Sequence, residues 1–376
     1  MSYTFQIFSS VKELPTDWNK VIGQQNIMLS VEYFHVLEES KPKNMKCFFV
    51  GFYSGKDLIG GALFQYLSFI EHKTFQKDDV LCSFRNFLSK KFSKDVMILG
   101  NNMLTGQNGF YFDTSKVPTD KAILLLNEAA KNLQEKYRKS SLIIFKDYQK
   151  AFLKNFEEEK FKAFFRFSVQ PNMILNIKPE WITFKNYADD FSKKYRARLK
   201  SAKRKLEGIQ KIELNLDDVK TYQKEMNILY QNVAENAPFN TFFLTDYHFK
   251  YMKMYLTENF KVFGYFLNEK LIGFYTLILN NQDIDTYFLG YDKEIQKEKQ
   301  IYLNMLFDMT EFGISNHFKR IIFGRTALEI KSTIGAEPVE IFGLIKHSNK
   351  AVNLFTGKIF SSLNPKYYWV QRKPFK

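Results

Sequence analysis

The sequence predicts two similar mixed α/β domains in tandem, each a mixed sheet flanked by helices, and three observations lead to that class. At 376 residues the chain is longer than one domain usually grows. A strand–turn–strand pattern occurs in each half, and so does a helix followed by a buried strand. With 45% apolar residues and 40 Phe the chain has material for two cores, which excludes a disordered protein.

The first domain is expected over residues 1–178, opening with a strand at 3–8, a helix at 11–22 and a second helix at 31–40. Residues 47–67, CFFVGFYSGKDLIGGALFQYL, read as a hairpin, with SGKD supplying the turn between apolar runs. Residues 121–148, KAILLLNEAAKNLQEKYRKSSLIIFKDY, show helical spacing and then a strand. The second domain is expected over 179–376 and opens with KKYRARLKSAKRKLEG (193–208), which places eight Lys and Arg in its first thirteen residues. Phe191, Tyr195, Leu199, Ala202 and Leu206 recur at spacings of 4, 4, 3 and 4, predicting a helix with one apolar face that Gly208 ends. Lys194, Arg196, Arg198, Lys200, Lys203, Arg204 and Lys205 cover its other faces. Residues 260–279, FKVFGYFLNEKLIGFYTLIL, repeat the hairpin, with Leu271, Ile272 and Gly273 in the places of Leu58, Ile59 and Gly60. Residues 301–325 then repeat the helix-then-strand order.

A formal charge of +15 favours anionic partners. The N-terminus MSYTFQIFSS lacks a basic segment followed by an apolar run, and no run of about 18 apolar residues occurs, which predicts a cytoplasmic protein without a spanning segment. Cys47 and Cys82 stand in separate contexts and read as buried thiols. His35, His72, His248, His317 and His347 are scattered, so no metal site is expected. Neither a G-x-S-x-G elbow nor a Walker loop occurs, and serine hydrolase and nucleotide phosphatase readings lose support.

The most informative stretch is RIIFGRTALEIKSTIGAEPVEIFGLIK (320–346). An apolar strand ends in Gly-Arg, a short segment carries Lys331, and Gly335 and Pro338 lead into another strand. Arg325 and Lys331 would then lie beyond the end of a central strand, where open α/β sheets bind ligands, and would suit a phosphate or carboxylate. The alternative is that Arg325 caps carbonyls and Lys331 is solvated.

FGRTALEIKSTIGAEP together with KKYRARLKSAKRKLEG resembles the FemABX-like branch of the GNAT (acyl-CoA N-acyltransferase) superfamily. NIMLSVEYFHVLEES (26–40) is similar to the segment these proteins carry before their first hairpin, and PNMILNI (171–177) to the short strand before the basic helix. The resemblance implies tandem GNAT-like domains and transfer of an acyl or aminoacyl group to an amine, in cell-envelope biosynthesis among other roles. It implies no bound cofactor, with acyl-CoA or aminoacyl-tRNA as cosubstrate. The implied partners are the donor, an amine acceptor, tRNA, and a lipid-linked substrate at the membrane surface. Lys331 matches the lysine of the family's C-terminal motif, and Arg325 a basic or polar position at the strand end. One departure bears on the donor. Acetyl-CoA GNATs cradle the pyrophosphate on a glycine-containing loop at a helix N-terminus, whereas DIDTYFLGYD (283–292) is followed by KEIQKEKQIYLN.

Acyl transfer needs an amine that loses a proton as it attacks, a polarised carbonyl and a protonated leaving group. Lys331, Asp285 and Tyr287 are the catalytic candidates. Arg325, Arg196, Arg198 and Lys200 are the candidates for donor phosphates. Asp285 and Tyr287 alternate along the strand before Gly290 and could orient the amine or relay its proton; for Tyr287, and for Tyr291, the competing role is core packing. Asn236 and Asn240 are turn formers that could line the acceptor cleft. A second expectation is a catalytically silent GNAT-fold protein that holds RNA or an anionic lipid-linked intermediate.

Overall fold

The computed structural model describes residues 2–70, 92, 94–237, 240–363 and 368–376. Cys82 and His72 lie outside them. The first half runs β1 (Tyr3–Phe8), α1 (Val31–Ser40), β2 (Met45–Ser54), β3 (Asp57–Ser68), β4 (Asp95–Leu99), β5 (Phe110–Phe112), α2 (Thr119–Lys136), β6 (Leu142–Gln149) and β7 (Phe165–Ser168). The second opens with β8 (Asn172–Asn176), α3 (Phe184–Asp190), α4 (Lys193–Lys205), β9 (Gln210–Glu213), α5 (Leu216–Thr221), α6 (Gln223–Ala234) and α7 (His248–Leu256). It continues through β10 (Phe260–Leu267), β11 (Lys270–Asn280), β12 (Asp283–Tyr291), α8 (Lys293–Lys299), α9 (Ile301–Ser315), β13 (Arg320–Gly324) and α10 (Leu328–Ser332). β14 (Glu337–Val339), β15 (Ile341–His347), α11 (Lys350–Asn353) and α12 (Thr356–Leu363) complete it.

The predicted helix at 11–22 is the one clear departure in secondary structure. A 3-10 turn at Val11–Glu13 stops where Leu14 turns extended (φ −67°, ψ 143°), the conformation a following proline enforces, and a separate π turn spans Asn19–Gly23. Both hairpins form in the expected places. The β10–β11 turn uses Asn268 and Glu269 at φ 49° and 64°, a twist that matches the flanking strands.

Two sheets share one topology. The first runs β1-β2-β3-β4-β6-β15-β7, with β5 also on β3, and the second runs β9-β10-β11-β12-β13-β8-β14. Each half thus keeps its penultimate strand, β7 or β14, and gives its last strand, β8 or β15, to the other sheet. The compact units are accordingly not the contiguous halves 1–178 and 179–376. The first comprises Met1–Val169, Pro238–His248 and Glu340–Lys366, and the second Gln170–Ala237, Phe249–Val339 and Tyr367–Lys376. Within the first unit, Thr245 Oγ1 donates to Ser40 O (3.0 Å) and Asn44 Nδ2 to Thr241 O (2.9 Å), which ties the 240–248 segment down.

Each sheet has one parallel pair at its centre. In the first unit β4 and β6 pair from Val96↔Leu142 to Leu99↔Phe145, and in the second β12 and β13 pair from Asp283↔Arg320 to Asp285↔Ile322. The strands carry the same residues there, Ile143-Ile144-Phe145 and Ile321-Ile322-Phe323. One core gathers α2 residues such as Ile123, Leu126 and Leu133 against Phe48, Phe64 and Phe145. The other gathers Met305, Leu306 and Met309 of α9 against Tyr275, Leu277 and Ile321.

Candidate active site

After the Ile-Ile-Phe run the two units differ. In the first unit the next residues are Lys146 and Asp147, both buried, with Nζ 2.5 Å from Asp147 Oδ2. Lys146 Nζ also donates to Asn101 O (2.9 Å) and Leu104 O (2.8 Å), and the Gly106 N–H donates to Asp147 Oδ2 (3.1 Å). These bonds hold the 100–109 loop, which leaves the sheet between β4 and β5, against the end of β6. An ion pair and a loop therefore close the first unit's strand end, and the pair is stable there because both partners are satisfied.

In the second unit the corresponding residues are Gly324 and Arg325. Pairing between β12 and β13 stops at Asp285↔Ile322, although β12 continues to Tyr291. Beyond that point the ladder of β12 with β11 also slips, between Tyr275↔Leu289 and Leu277↔Thr286, so that β12 bulges at Tyr287 and Phe288. Gly324 turns the chain away at φ 77°, a conformation that a Cβ disfavours. On the other side α6 lies flush on Gly290, where a Cβ would come within 2.4 Å of the Leu229 backbone.

Lys331, on α10, folds back onto this strand end. Its Nζ donates to Phe323 O (2.5 Å) and Gly324 O (3.5 Å), and the side chain is 4% exposed. It is thus neither solvated nor at the surface. Burial pushes its ammonium down to about 7. Asp285, 2% exposed, stands at the last paired position of β12. Burial pushes its carboxyl up to about 7; Asp283 adds to the rise, and the Asn280 side chain and Arg320 oppose it. Arg320 is itself engaged by Asp283, Nε to Oδ1 at 2.8 Å. Burial thus moves both groups toward neutrality, Asp285 under the further influence of Asp283, Asn280 and Arg320 and Lys331 through burial alone.

Other candidates fall into place around them. Tyr287 is 8% exposed and packs edge-to-face on Phe260 and Phe288, with ring centroids 6.3 and 4.5 Å away. Arg325, half-buried, sits on the turn between β13 and α10. Arg196 donates to Asp189 O (3.3 Å) and Phe191 O (2.9 Å), so this arginine caps the end of α3. Arg198 and Lys200 are exposed on α4, and Arg198 lies close enough to Glu329 to help hold that carboxyl below its usual range, after the larger effect of the Arg372 bond. Asn236 is exposed and donates to Asn232 O (2.7 Å), a helix-end bond. Asn240 falls in the first unit and Asn236 in the second. Tyr291 packs against Tyr302 at 6.3 Å. Among the described residues no group of three or more His, Cys, Asp or Glu could hold a metal ion. Cys47 is buried, which pushes its thiol up to about 12.

Two supports of this site have no motif in the sequence. Lys203 of α4 donates to Asp308 Oδ1 (2.5 Å), and the buried Asp308 also accepts from Tyr265, which pins the basic helix to α9. The C-terminal tail joins α10 to the start of α4. Arg372 pairs with Glu329 and its N–H donates to Ser332 Oγ (2.9 Å); the Ser192 N–H donates to Pro374 O (2.9 Å) and the Lys376 N–H to Asp190 O (3.1 Å). Phe375 stacks on Phe191 at 5.3 Å. The acid-free C-terminus after Glu340 was the one available signal.

No protein-family model matches the chain, and no curated protein matches it. Solved structures do. FemX superposes with a TM-score of 0.53 at 12% identity, over 86% of this chain and 93% of FemX. A tandem GNAT protein from the clavulanic acid biosynthesis pathway superposes with a TM-score of 0.50 at 8% identity, over 93% and 99% of the two chains. The chain has a tandem GNAT fold. A conserved protein from Bacteroides thetaiotaomicron shares it, with a TM-score of 0.50 at 9% identity over 92% of this chain and 100% of that one.

In this tandem GNAT fold the helix that follows the bulged strand of the second unit is α9, and α8 abuts its start. Gln300, at φ 50°, is the single residue between them, and its N–H closes α8 by donating to Gln296 O. The negative end of α8 thereby meets the positive end of α9, which weakens the field a pyrophosphate would use there.

Proposed function

We propose that the protein is an N-acyltransferase or aminoacyltransferase whose second unit moves an acyl or aminoacyl group from a phosphate-bearing carrier to an amine. The observation that carries this reading is the parted strand end, where pairing stops at Asp285↔Ile322 and the buried Lys331 is held on the Phe323 and Gly324 carbonyls. The amine nitrogen attacks the donor carbonyl carbon, and the carboxylate of Asp285 takes the proton it sheds. The oxyanion that forms accepts a hydrogen bond from the Lys331 ammonium, which the Phe323 and Gly324 carbonyls hold in place. Collapse expels the carrier oxygen or sulfur, which takes back from Asp285 the proton that the amine shed. Tyr287 orients the amine, and Arg325, Arg198 and Lys200 attract the carrier's phosphates.

Of the two carriers, an aminoacyl-tRNA suits the site better than acyl-CoA, because α8 covers the helix start that a pyrophosphate would occupy. The similarity to FemX and to a tandem GNAT protein supports transfer chemistry through fold alone. We place the reaction in the cytoplasm, consistent with the absence, among the described residues, of a helix long and apolar enough to cross a membrane. The test is product formation from a panel of aminoacyl-tRNAs and acyl-CoAs with amine acceptors, followed by mass spectrometry. The reading expects product with a tRNA-borne donor and its loss in Lys331→Met. Transfer unaffected in Lys331→Met would remove that residue from the mechanism, and binding of RNA without turnover of any donor would favour a catalytically silent protein.

A further inference from the structure

The turn between α11 and α12 holds two apolar side chains out in water. Asn353 fixes it from both sides: its Oδ1 accepts from the His347 N–H (2.7 Å) and from Thr356 Oγ1 (3.3 Å), and its Nδ2 donates to Ala163 O (2.8 Å). Thr356 is fully buried, and Phe165 lies so close to Gly357 that a Cβ there would come within 2.7 Å of its ring. Between these anchors Leu354 is 83% exposed and Phe355 56%. Ordering such a pair in solvent brings the fold no burial, so its use lies outside the chain.

Within the segment that carries the pair the charge has one sign. Lys350 stands four residues before Leu354 and Lys358 three after Phe355, and no Asp or Glu occurs from Ile341 to Lys376. Burial, and then repulsion from Lys131 and Lys350, push the Lys346 ammonium down, so these three lysines of α2, β15 and α11 share one field. On the neighbouring segment Glu157 and Glu158 are exposed acids, Glu159 is held by Lys162 at 2.6 Å, and Lys154, Lys160 and Lys162 offset them in number.

We propose that this turn docks the protein on an anionic lipid surface, with Leu354 and Phe355 entering the acyl boundary and Lys131, Lys346, Lys350 and Lys358 lying among the headgroup phosphates. Neither part suffices alone: two apolar side chains anchor weakly, and lysines add attraction only where anionic lipid is present. A lipid fits better than RNA, since a leucine at the tip of a turn finds hydrocarbon in a bilayer and none along a phosphate backbone. The docking does not rest on the transfer reaction.

The test is co-sedimentation of the full chain with vesicles of phosphatidylcholine alone and of phosphatidylcholine with an equal part of phosphatidylglycerol. Binding is expected with the anionic vesicles only and falls as salt is raised. L354S/F355S is expected to weaken it at least about tenfold, and each of Lys350→Gln and Lys358→Gln about fivefold. The melting temperature stays unchanged in L354S/F355S, because both side chains are exposed in the native state. Wild-type protein that binds neither vesicle, or L354S/F355S that binds as wild type does, overturns the proposal. So does a dimer, seen by light scattering, that L354S/F355S abolishes, and so does loss of RNA binding in that variant with vesicle binding intact.

Discussion

Asp285 and Lys331 are held where burial opposes their charged forms, and this has consequences for stability as well as for chemistry. The Asp285 pKa rises from 3.8 to about 7 on folding, so between those values the folded chain holds a proton that the unfolded chain has lost, and stability falls as pH rises through the window. Asp285→Asn removes that penalty. It should stabilise the protein at pH 7 by on the order of 2–4 kcal/mol, and by nothing near pH 4. Urea denaturation at the two pH values measures both numbers, and no gain at pH 7 would mean that Asp285 is not penalised by its surroundings. For Lys331, lowered from 10.5 to about 7, the window lies above neutrality and stability rises with pH through it. The transfer rate should therefore climb to about pH 7 as Asp285 deprotonates and decline above it as Lys331 loses its proton. The sequence singled out Lys331 by its place in the C-terminal motif and Asp285 by its place on the strand before Gly290, but the burial of either side chain was not legible there. The role of Arg196 was not, because a charge pattern does not show that the carbonyls closing α3 lie within reach.

At the scale of elements, the basic helix α4 is a packed helix with two of its cations anchored, Arg196 on the end of α3 and Lys203 on Asp308, and the 368–376 tail is what joins it to α10. Removing those residues should raise hydrogen exchange at the backbone of α10 and at the start of α4 while leaving β10 and β11 protected. Exchange measured by mass spectrometry tests this, and unchanged protection of α10 would contradict it. The apolar stripe on α4 predicted the helix correctly, since Leu199 and Ala202 are buried. Its partner Asp308 could not be found the same way: of the two acids in the apolar helix α9, Asp308 and Glu311, neither stands out from a solvated residue until Tyr265 and Lys203 are brought to Asp308. The 11–22 segment failed for a local reason, the proline at position 15.

For the whole molecule, the tandem repeat of hairpin, helix and strand was readable because both halves carry it in the same order. The exchange of last strands was not, because β8 and β15 are short apolar strands whose patterns suit an inner place in either sheet. One consequence separates exchanged units from contiguous ones. Residues 1–178 alone lack β15, which exposes an edge of β6, and should fail to fold as a stable monomer. Mixing with 179–376 should restore a soluble complex. Co-purification and circular dichroism check this, and a folded, monomeric 1–178 would argue that β15 is dispensable.

On the function proposed above, the group is transferred at the parted strands of the second unit. Single-turnover transfer from a labelled aminoacyl-tRNA to an amine, compared between the wild-type protein and Asp285→Asn, tests it most directly. The account predicts a loss of about a hundredfold or more in Asp285→Asn with the fold intact. Transfer at the wild-type rate in that variant would contradict it.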